Sequence, residues 1–129
     1  MKNLLYEKLT QEIIGACIDV HKELGLGLLE SAYEACLCFE LSQRQLKFRK
    51  QVKLPVKYKT VKLDCAYIID IVVEDKVVLE LKSVDNILPI HEAQLISYLK
   101  LSGIEVGLLL NFNVSVMKNG VKRLIKEKM

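Results

Sequence analysis

The sequence lacks the long apolar run that a membrane-spanning helix requires. Its apolar stretches fall far short of the roughly 20 residues needed to cross a bilayer, and its beginning lacks the charged-then-apolar pattern of a secretory signal. No membrane association is therefore expected, and a cytoplasmic location is the default. At 129 residues the chain is long enough to bury a core, so we expect one domain, residues 1–129.

The sequence also lacks cysteines at paired spacing. None of the four cysteines falls in a C-x-x-C arrangement: they are Cys17, Cys36, Cys38 and Cys65. Cys36 and Cys38 are two positions apart on a predicted helix and therefore face different directions. The sequence predicts free, mostly buried thiols.

Acidic residues are missing from one stretch of the chain. Residues 41–63 hold eight basic residues and no acid, whereas residues 64–105 hold eight acids against three lysines. A second basic cluster closes the chain, with Lys118, Lys122, Arg123, Lys126 and Lys128. Basic stretches on both sides of an acidic centre favour a polyanionic ligand held around a metal site. The alternative is a lysine-rich face that only keeps the protein in solution.

Apolar spacing predicts three helices and several strands. The first half of the chain is predicted to form a helix capped by Thr10 and stopped by Gly25, a helix from about Leu29 to Leu46, and strands at Phe48–Tyr58, Val61–Leu63 and Ala66–Val73. The second half is predicted to form a helix from Pro89 to Leu101 or Ser102 and a strand at Glu105–Phe112. A final hairpin is predicted to turn at Asn119-Gly120 between Val114–Met117 and Val121–Ile125. Alternation within the first strand places Phe48 and Val52 on an apolar side and Gln51 on a basic outer side, and Pro55 favours an edge position or a bulge.

Three charged residues interrupt the apolar segment from Asp70 to Lys82. Asp70 follows an apolar run, and Glu80 and Lys82 lie within another. Strands this apolar are normally buried, and an unpaired carboxylate there costs several kcal/mol. The three groups together therefore indicate charges that compensate one another or hold a cation.

Strand geometry constrains where these charges point. Glu80 and Lys82 share a face because side chains alternate along a strand. If Glu74-Asp75-Lys76 is a three-residue hairpin loop, Asp70 falls directly opposite Glu80, with Cβ atoms roughly 5 Å apart. A two-residue turn would place the two carboxylates on opposite faces. Carboxylates that close repel each other unless a positive group lies between them, and a hard divalent cation fits that gap.

An Asp followed by Glu-x-Lys at the end of a hairpin resembles the PD-(D/E)xK nuclease superfamily. Gly27-Leu-Leu-Glu30-Ser-Ala-Tyr33 resembles the G-x-x-E-x-x-Y signature of a small bacterial family within it. Gln94-Leu-Ile-Ser-Tyr98 resembles the Q-x-x-x-Y helix motif of RecB-type nucleases. Further segments are similar to the same family, at Val73–Lys82, Leu88–Gln94 and Asn111–Asn113, so the resemblance covers nearly the whole chain.

The resemblance implies a fold and a metal site. The fold is α/β, a restriction-endonuclease-like αβββαβ core with a mixed sheet, one extra N-terminal helix and a C-terminal β-hairpin. Glu30, Asp70 and Glu80, with the backbone carbonyl of Leu81, would hold Mg²⁺ or Mn²⁺. From the residues alone, Glu30 has a simpler interpretation, since an acid in the first turn of a helix favours the positive end of the helix dipole.

The resemblance also assigns roles in catalysis. The ion would polarise a phosphoryl oxygen and lower the pKa of a bound water, while Lys82 would orient that water or offset charge on the phosphate. Gln94 and Tyr98 would position the scissile phosphate or a neighbouring base, although a Gln and a Tyr one turn apart can also form an inert polar stripe. The expected nucleic-acid-binding residues are Arg49, Lys53, Lys57 and Lys59.

The expected function is therefore metal-dependent hydrolysis of phosphodiester bonds in nucleic acid, with DNA as the favoured substrate. A chain this small lacks a separate specificity domain, so we expect either broad substrate preference or specificity supplied by a homodimer or a partner protein. The alternative is a nucleic-acid-binding or accessory module with little or no cleavage activity, whereas a purely structural oligomerisation domain explains the basic strand poorly. The family usually has a basic residue two positions before the metal-binding aspartate, and Ile68 at that position predicts weaker phosphate binding.

Overall fold

The computed structural model describes residues 6–126, apart from the side chain of Cys65. The helices are α1 Glu7–Leu24, α2 Glu30–Gln43 and α3 Pro89–Ser102, and the strands are β1 Phe48–Tyr58, β2 Val61–Val73, β3 Val77–Lys82, β4 Val106–Asn111 and β5 Val121–Ile125. The strands form one sheet in the order β1-β2-β3-β4-β5, in which β3 and β4 are parallel and the other neighbours are antiparallel. The predicted α/β fold is confirmed, with the αβββαβ order running from α2 to β4 and α1 as the extra helix.

The helices cover both faces of the sheet. α1 and α2 pack on one face, in a core that includes Ile13, Leu37, Ile71, Leu79 and Leu108. α3 packs on the other, in a core that includes Val78, Leu95, Leu99 and Leu109. Because α3 is the crossover between two parallel central strands, all of β4 and all of β3 except Lys82 are buried. No helix in the described part of the chain combines the length and apolarity that a bilayer crossing demands.

The helix boundaries follow local sequence signals only in part. α3 begins at Pro89 and ends before Gly103, as predicted. α1, in contrast, begins at Glu7, so Thr10 lies inside its first turn, where the Thr10 hydroxyl donates to the Glu7 carbonyl oxygen at 3.0 Å. The prediction of Thr10 as the N-cap is wrong because the helix extends one turn further upstream. α2 ends at Gln43, one turn earlier than predicted.

The outer halves of β1 and β2 extend beyond the rest of the sheet. β3 pairs with β2 only at Ile71–Val73, whereas β1 and β2 continue to pair as far as Tyr58 and Val61. We call the two-stranded part, residues 53–68, the distal ribbon. β1 is an edge strand, and its register with β2 shifts between Pro55 and Lys57, so the predicted edge position and bulge are both confirmed.

The apolar sides of β1 and β2 change face at one point. Phe48 packs against the α1/α2 core, whereas Val52 packs against the α3 core. β2 changes in the same way, with Ile71 in the α1/α2 core and Ile69 in the α3 core. The change falls at Gln51, whose φ of 51° breaks the regular alternation. The prediction that Phe48 and Val52 share one apolar side is therefore wrong.

The C-terminal hairpin is present, but its strands are β4 and β5. The prediction that it turns at Asn119-Gly120 is wrong, because Met117–Gly120 forms a 3₁₀ turn within the connection from β4 to β5. Gly120 serves a close approach there, since a Cβ at this position would collide with the carbonyl oxygen of Asn111.

Candidate active site

The loop between β2 and β3 sets the register of the predicted carboxylates. Val73 pairs with Val77 across a three-residue loop, which confirms the predicted hairpin. Two of the loop residues, Glu74 and Asp75, have positive φ angles of 54° and 56°, as tight hairpin loops require. Continued from these pairs, the register places Asp70 opposite Glu80.

Each of the two carboxylates accepts a hydrogen bond from a backbone N–H group of the other strand. The Asp70 N–H donates to Glu80 Oε2 at 2.8 Å, and the Leu81 N–H donates to Asp70 Oδ2 at 2.9 Å. Glu80 is only 4% exposed. The carboxylates therefore lie where the β2–β3 ladder ends, held by the backbone of the strands that carry them.

The site concentrates negative charge in a buried place. Burial raises the pKa of Glu80 to about 8, with the negative charges of Asp70 and Glu30 adding to the effect and a backbone hydrogen bond and Lys82 opposing it. Burial also raises the pKa of Asp70, opposed by the Leu81 N–H and by Lys82. One lysine and two backbone hydrogen bonds thus leave the carboxylate pair short of positive charge.

Two residues of the site, Gln51 and Glu34, were not predicted from the sequence. The amide of Gln51 donates to Glu34 Oε1 at 2.9 Å, and the Gln51 side chain also favours the charged form of Asp70, which partly opposes the rise in the Asp70 pKa. Burial and the Asp70 charge raise the pKa of Glu34. Glu34 lies one helical turn after Glu30 and therefore on the same face of α2, and this spacing could have predicted it as a site residue. Gln51 carried no such signal, because regular alternation assigned it to an outer face.

α3 contributes the two polar residues that were predicted from the Q-x-x-x-Y pattern. Lys82 Nζ donates to Gln94 Oε1 at 3.5 Å. Tyr98 is buried, and its ring lies 5.7 Å from that of Tyr67 between centroids. Burial raises the pKa of Tyr98, and the negative charges of Glu80 and Asp70 add to the effect. The structure therefore brings Gln94 and Tyr98 to the same site as Lys82.

The segment that resembles G-x-x-E-x-x-Y fixes the start of α2. The Tyr33 hydroxyl donates to the Gly25 carbonyl oxygen at 2.7 Å and accepts from the Leu28 N–H at 3.2 Å. The Tyr33 ring is fully buried and stacks on Phe112 with 4.5 Å between centroids. Gly27 has a φ of 91°, which glycine adopts without strain. This anchored loop delivers Glu30 as the first residue of α2.

The predicted nucleic-acid-binding residues do not form one group. Lys53, Lys57 and Lys59 are exposed on the distal ribbon, and Lys59 Nζ lies 5.4 Å from the centroid of the Tyr58 ring. Arg49 lies on the other side of Gln51 and forms an ion pair with Asp75 at 2.8 Å. Three of the four predicted residues therefore lie on the ribbon, and Arg49 does not.

The chemistry of the carboxylate pair fits a hard divalent cation. Asp70 and Glu80 offer oxygen ligands, and a cation would relieve the raised pKa values that burial and mutual repulsion produce. Within residues 6–126, however, no three Asp, Glu, His or Cys side chains are grouped as metal ligands. Glu30 lies close enough to influence Glu80 electrostatically, but it is not grouped with the pair.

A comparison with family models identifies the superfamily of the chain. The model of the PD-(D/E)XK nuclease superfamily matches residues 7–124, which include every site residue described above. Comparisons with curated proteins and with solved structures found no match. The matched segment covers nearly the whole chain. Members of this superfamily generally hydrolyse phosphodiester bonds. The chain belongs to the PD-(D/E)XK nuclease superfamily.

Proposed function

We propose that this protein is a metal-dependent nuclease that hydrolyses phosphodiester bonds, with DNA as its favoured substrate. The observation that carries the proposal is the buried Glu80 carboxylate facing Asp70, with Lys82 on the same strand. A structural role alone leaves the uncompensated charge of this pair unexplained, because burial of a charge without a partner is strongly unfavourable.

Asp70 and Glu80 would hold Mg²⁺ or Mn²⁺, together with the backbone carbonyl of Leu81 and with Glu30 at the start of α2. Such an ion supplies a Lewis acid at the phosphoryl group. The backbone hydrogen bonds to Asp70 and Glu80 keep the two carboxylates in a fixed relation to each other. Gln51, which donates to Glu34, would support Asp70 from the β1 side.

Lys82 would offset the negative charge that develops on the phosphate during cleavage. Its contact with Gln94 joins its ammonium group to α3, and its charge opposes the rise that burial causes in the pKa of both carboxyls. Tyr98 would position the scissile phosphate or a neighbouring base, because it packs in the α3 core, where burial raises its pKa, near enough to Glu80 and Asp70 for their charges to add to that rise.

We also propose that the chain is a member of the G-x-x-E-x-x-Y family and shares the RecB-type Q-x-x-x-Y motif. The anchoring role of Tyr33 and the contact between Gln94 and Lys82 support this, because each gives the motif residue a specific task. The missing basic residue before Asp70 has a substitute, since Ile68 pairs directly with Lys53 across the strands. Lys53 would supply the positive charge there.

Lys82→Ala tests the proposal. We expect cleavage with Mg²⁺ or Mn²⁺ to fall by about 100-fold or more while DNA affinity changes little, because Lys82 acts mainly on the transition state. Single- and double-stranded DNA and RNA are incubated with each metal and with EDTA, and Glu80→Gln serves as a second inactive variant. Lys22→Ala, which changes an exposed lysine on α1, is the matched control. Cleavage that persists equally in all four proteins would show that a contaminant cuts the substrate.

A further inference from the structure

The distal ribbon is built unlike the rest of the sheet. On the side of Asp70 that leads to Tyr58 and Val61, β1 and β2 have no third strand beside them in the described part of the chain. The apolar side chains that the ribbon leaves exposed include Tyr58 at 62%, Val61 at 55% and Ile68 at 47%. Lys53 to Tyr58 spans about 17 Å of strand. The ribbon is therefore a projection from the sheet that has little core of its own.

Positive charge accumulates on this projection. The ribbon holds four lysines and one acid, Asp64, which gives it a net charge of +3, equal to that of the whole chain. Lys57 pairs directly with Lys62 across the two strands. Like charges at directly opposed positions destabilise a strand pair. Within the described residues neither lysine forms an ion pair with an acid, so none of those residues pairs with either charge.

We propose that the distal ribbon is an arm that enters the major groove of a DNA duplex beside the carboxylate pair. The proposal rests on the nuclease function proposed above and adds the substrate class, which is double-stranded. A polyanion relieves the Lys57–Lys62 repulsion, and the major groove, about 12 Å wide, admits a two-stranded β-ribbon. Lys53 and Lys62 line a shallow concavity of about 460 Å³ on the ribbon, together with the single acid of the ribbon, Asp64.

The position of the ribbon connects it to the reaction. Gln51 and Asp70 lie opposite each other at the base of the ribbon, and both belong to the site described above. A duplex held by the ribbon therefore runs directly past Asp70 and Glu80. A second copy of this chain is the competing occupant, because the ribbon has an open strand edge. Its charge argues against that pairing, since two arms of +3 would repel each other.

The test is the double substitution Lys57→Gln/Lys62→Gln, with Lys8→Gln/Lys22→Gln on α1 as the matched control. Binding is measured in EDTA by fluorescence anisotropy, on a labelled duplex DNA and on each of its strands alone, over a range of salt concentrations. We expect the duplex Kd of the ribbon variant to rise about tenfold at about 0.1 M salt, and the slope of log K against log salt to flatten by about 1.8. Single-strand binding and the control variant should change by less than about twofold.

The remaining outcomes separate the ribbon from the nuclease assignment. Unchanged duplex binding and slope would overturn the arm even if the protein cleaves DNA. An equal loss for duplex and single strands would overturn the duplex assignment. A change in oligomeric state, measured by light scattering, with intact DNA binding would make the ribbon an interface between copies. Loss of duplex binding in a protein that cleaves nothing would support the arm and overturn the nuclease. The single variants Lys57→Gln and Lys62→Gln, each expected to flatten the slope by about 0.9, decide the matter if the double variant is unstable.

Discussion

β3 and β4 are parallel neighbours of equal length, and each carries one buried polar residue in its second half. Glu80 of β3 and Asn111 of β4 are both 4% exposed. Their surroundings differ. Asn111 makes three hydrogen bonds to backbone groups, accepting from the Val84 and Asn113 N–H groups and donating to the Val84 carbonyl oxygen. Glu80 accepts one backbone N–H and lies near two further carboxylates.

The difference separates two uses of a buried polar group. Asn111 is neutral, and its partners are the backbone of the loop after β3 and of the segment after β4, so it closes the end of the sheet. Glu80 is placed beside charges of its own sign, which a fold does not need. Burial alone therefore does not distinguish a structural polar residue from a functional one. The number of its hydrogen-bond partners and the sign of the charges beside it do.

The comparison predicts opposite effects on stability, and the larger is at β4. Asn111→Ala should lower the free energy of unfolding by about 3 kcal/mol, because backbone groups of Val84 and Asn113 lose their partners. Urea denaturation in EDTA measures the change, with Asn86→Ala in the exposed part of the same loop as the control. A loss no larger than that of the control would show that water replaces the amide and that Asn111 does not hold the loop.

The second prediction concerns the pH dependence that Glu80 imposes without metal. Its pKa is raised from 4.5 to about 8, so the native state binds a proton more tightly than the unfolded chain does. Stability in EDTA should therefore fall as the pH rises through this interval. Glu80→Gln should flatten the profile and raise the free energy of unfolding at pH 8 by about 2 kcal/mol, because it removes the buried charge. A destabilised Glu80→Gln protein would place Glu80 in the same structural class as Asn111.

The smallest predicted effect comes from metal. Mg²⁺ or Mn²⁺ at millimolar concentration should raise the melting temperature by about 3 °C, because a ligand that binds only the native state stabilises it. Asp70→Asn should abolish the shift, and differential scanning calorimetry with and without EDTA measures it. An equal shift in wild type and Asp70→Asn would locate the metal away from the carboxylate pair.

The sequence predicts most of the site because most of the site is local. A three-residue loop is enough to place Asp70 against Glu80, and helical spacing is enough to place Gln94 with Tyr98. Gln51 was not predictable in this way, since its role depends on a single positive φ that interrupts the alternation of β1. The prediction of a hairpin turn at Asn119-Gly120 was wrong for a similar reason. Gly120 is required where the β4–β5 connection passes close to the Asn111 backbone, and a local turn signal contains no information about that neighbour.

The free end of the β1–β2 pair also bears on how such a protein diversifies. Because no third strand among residues 6–126 pairs with the distal ribbon, its length can change without disturbing the loop that aligns Asp70 with Glu80. Adding residues in pairs to both strands would extend its reach and keep every side chain on its face, whereas a single insertion would invert the faces beyond it. Descendants of this chain could thus acquire new targets through the ribbon while inheriting the carboxylate pair unchanged.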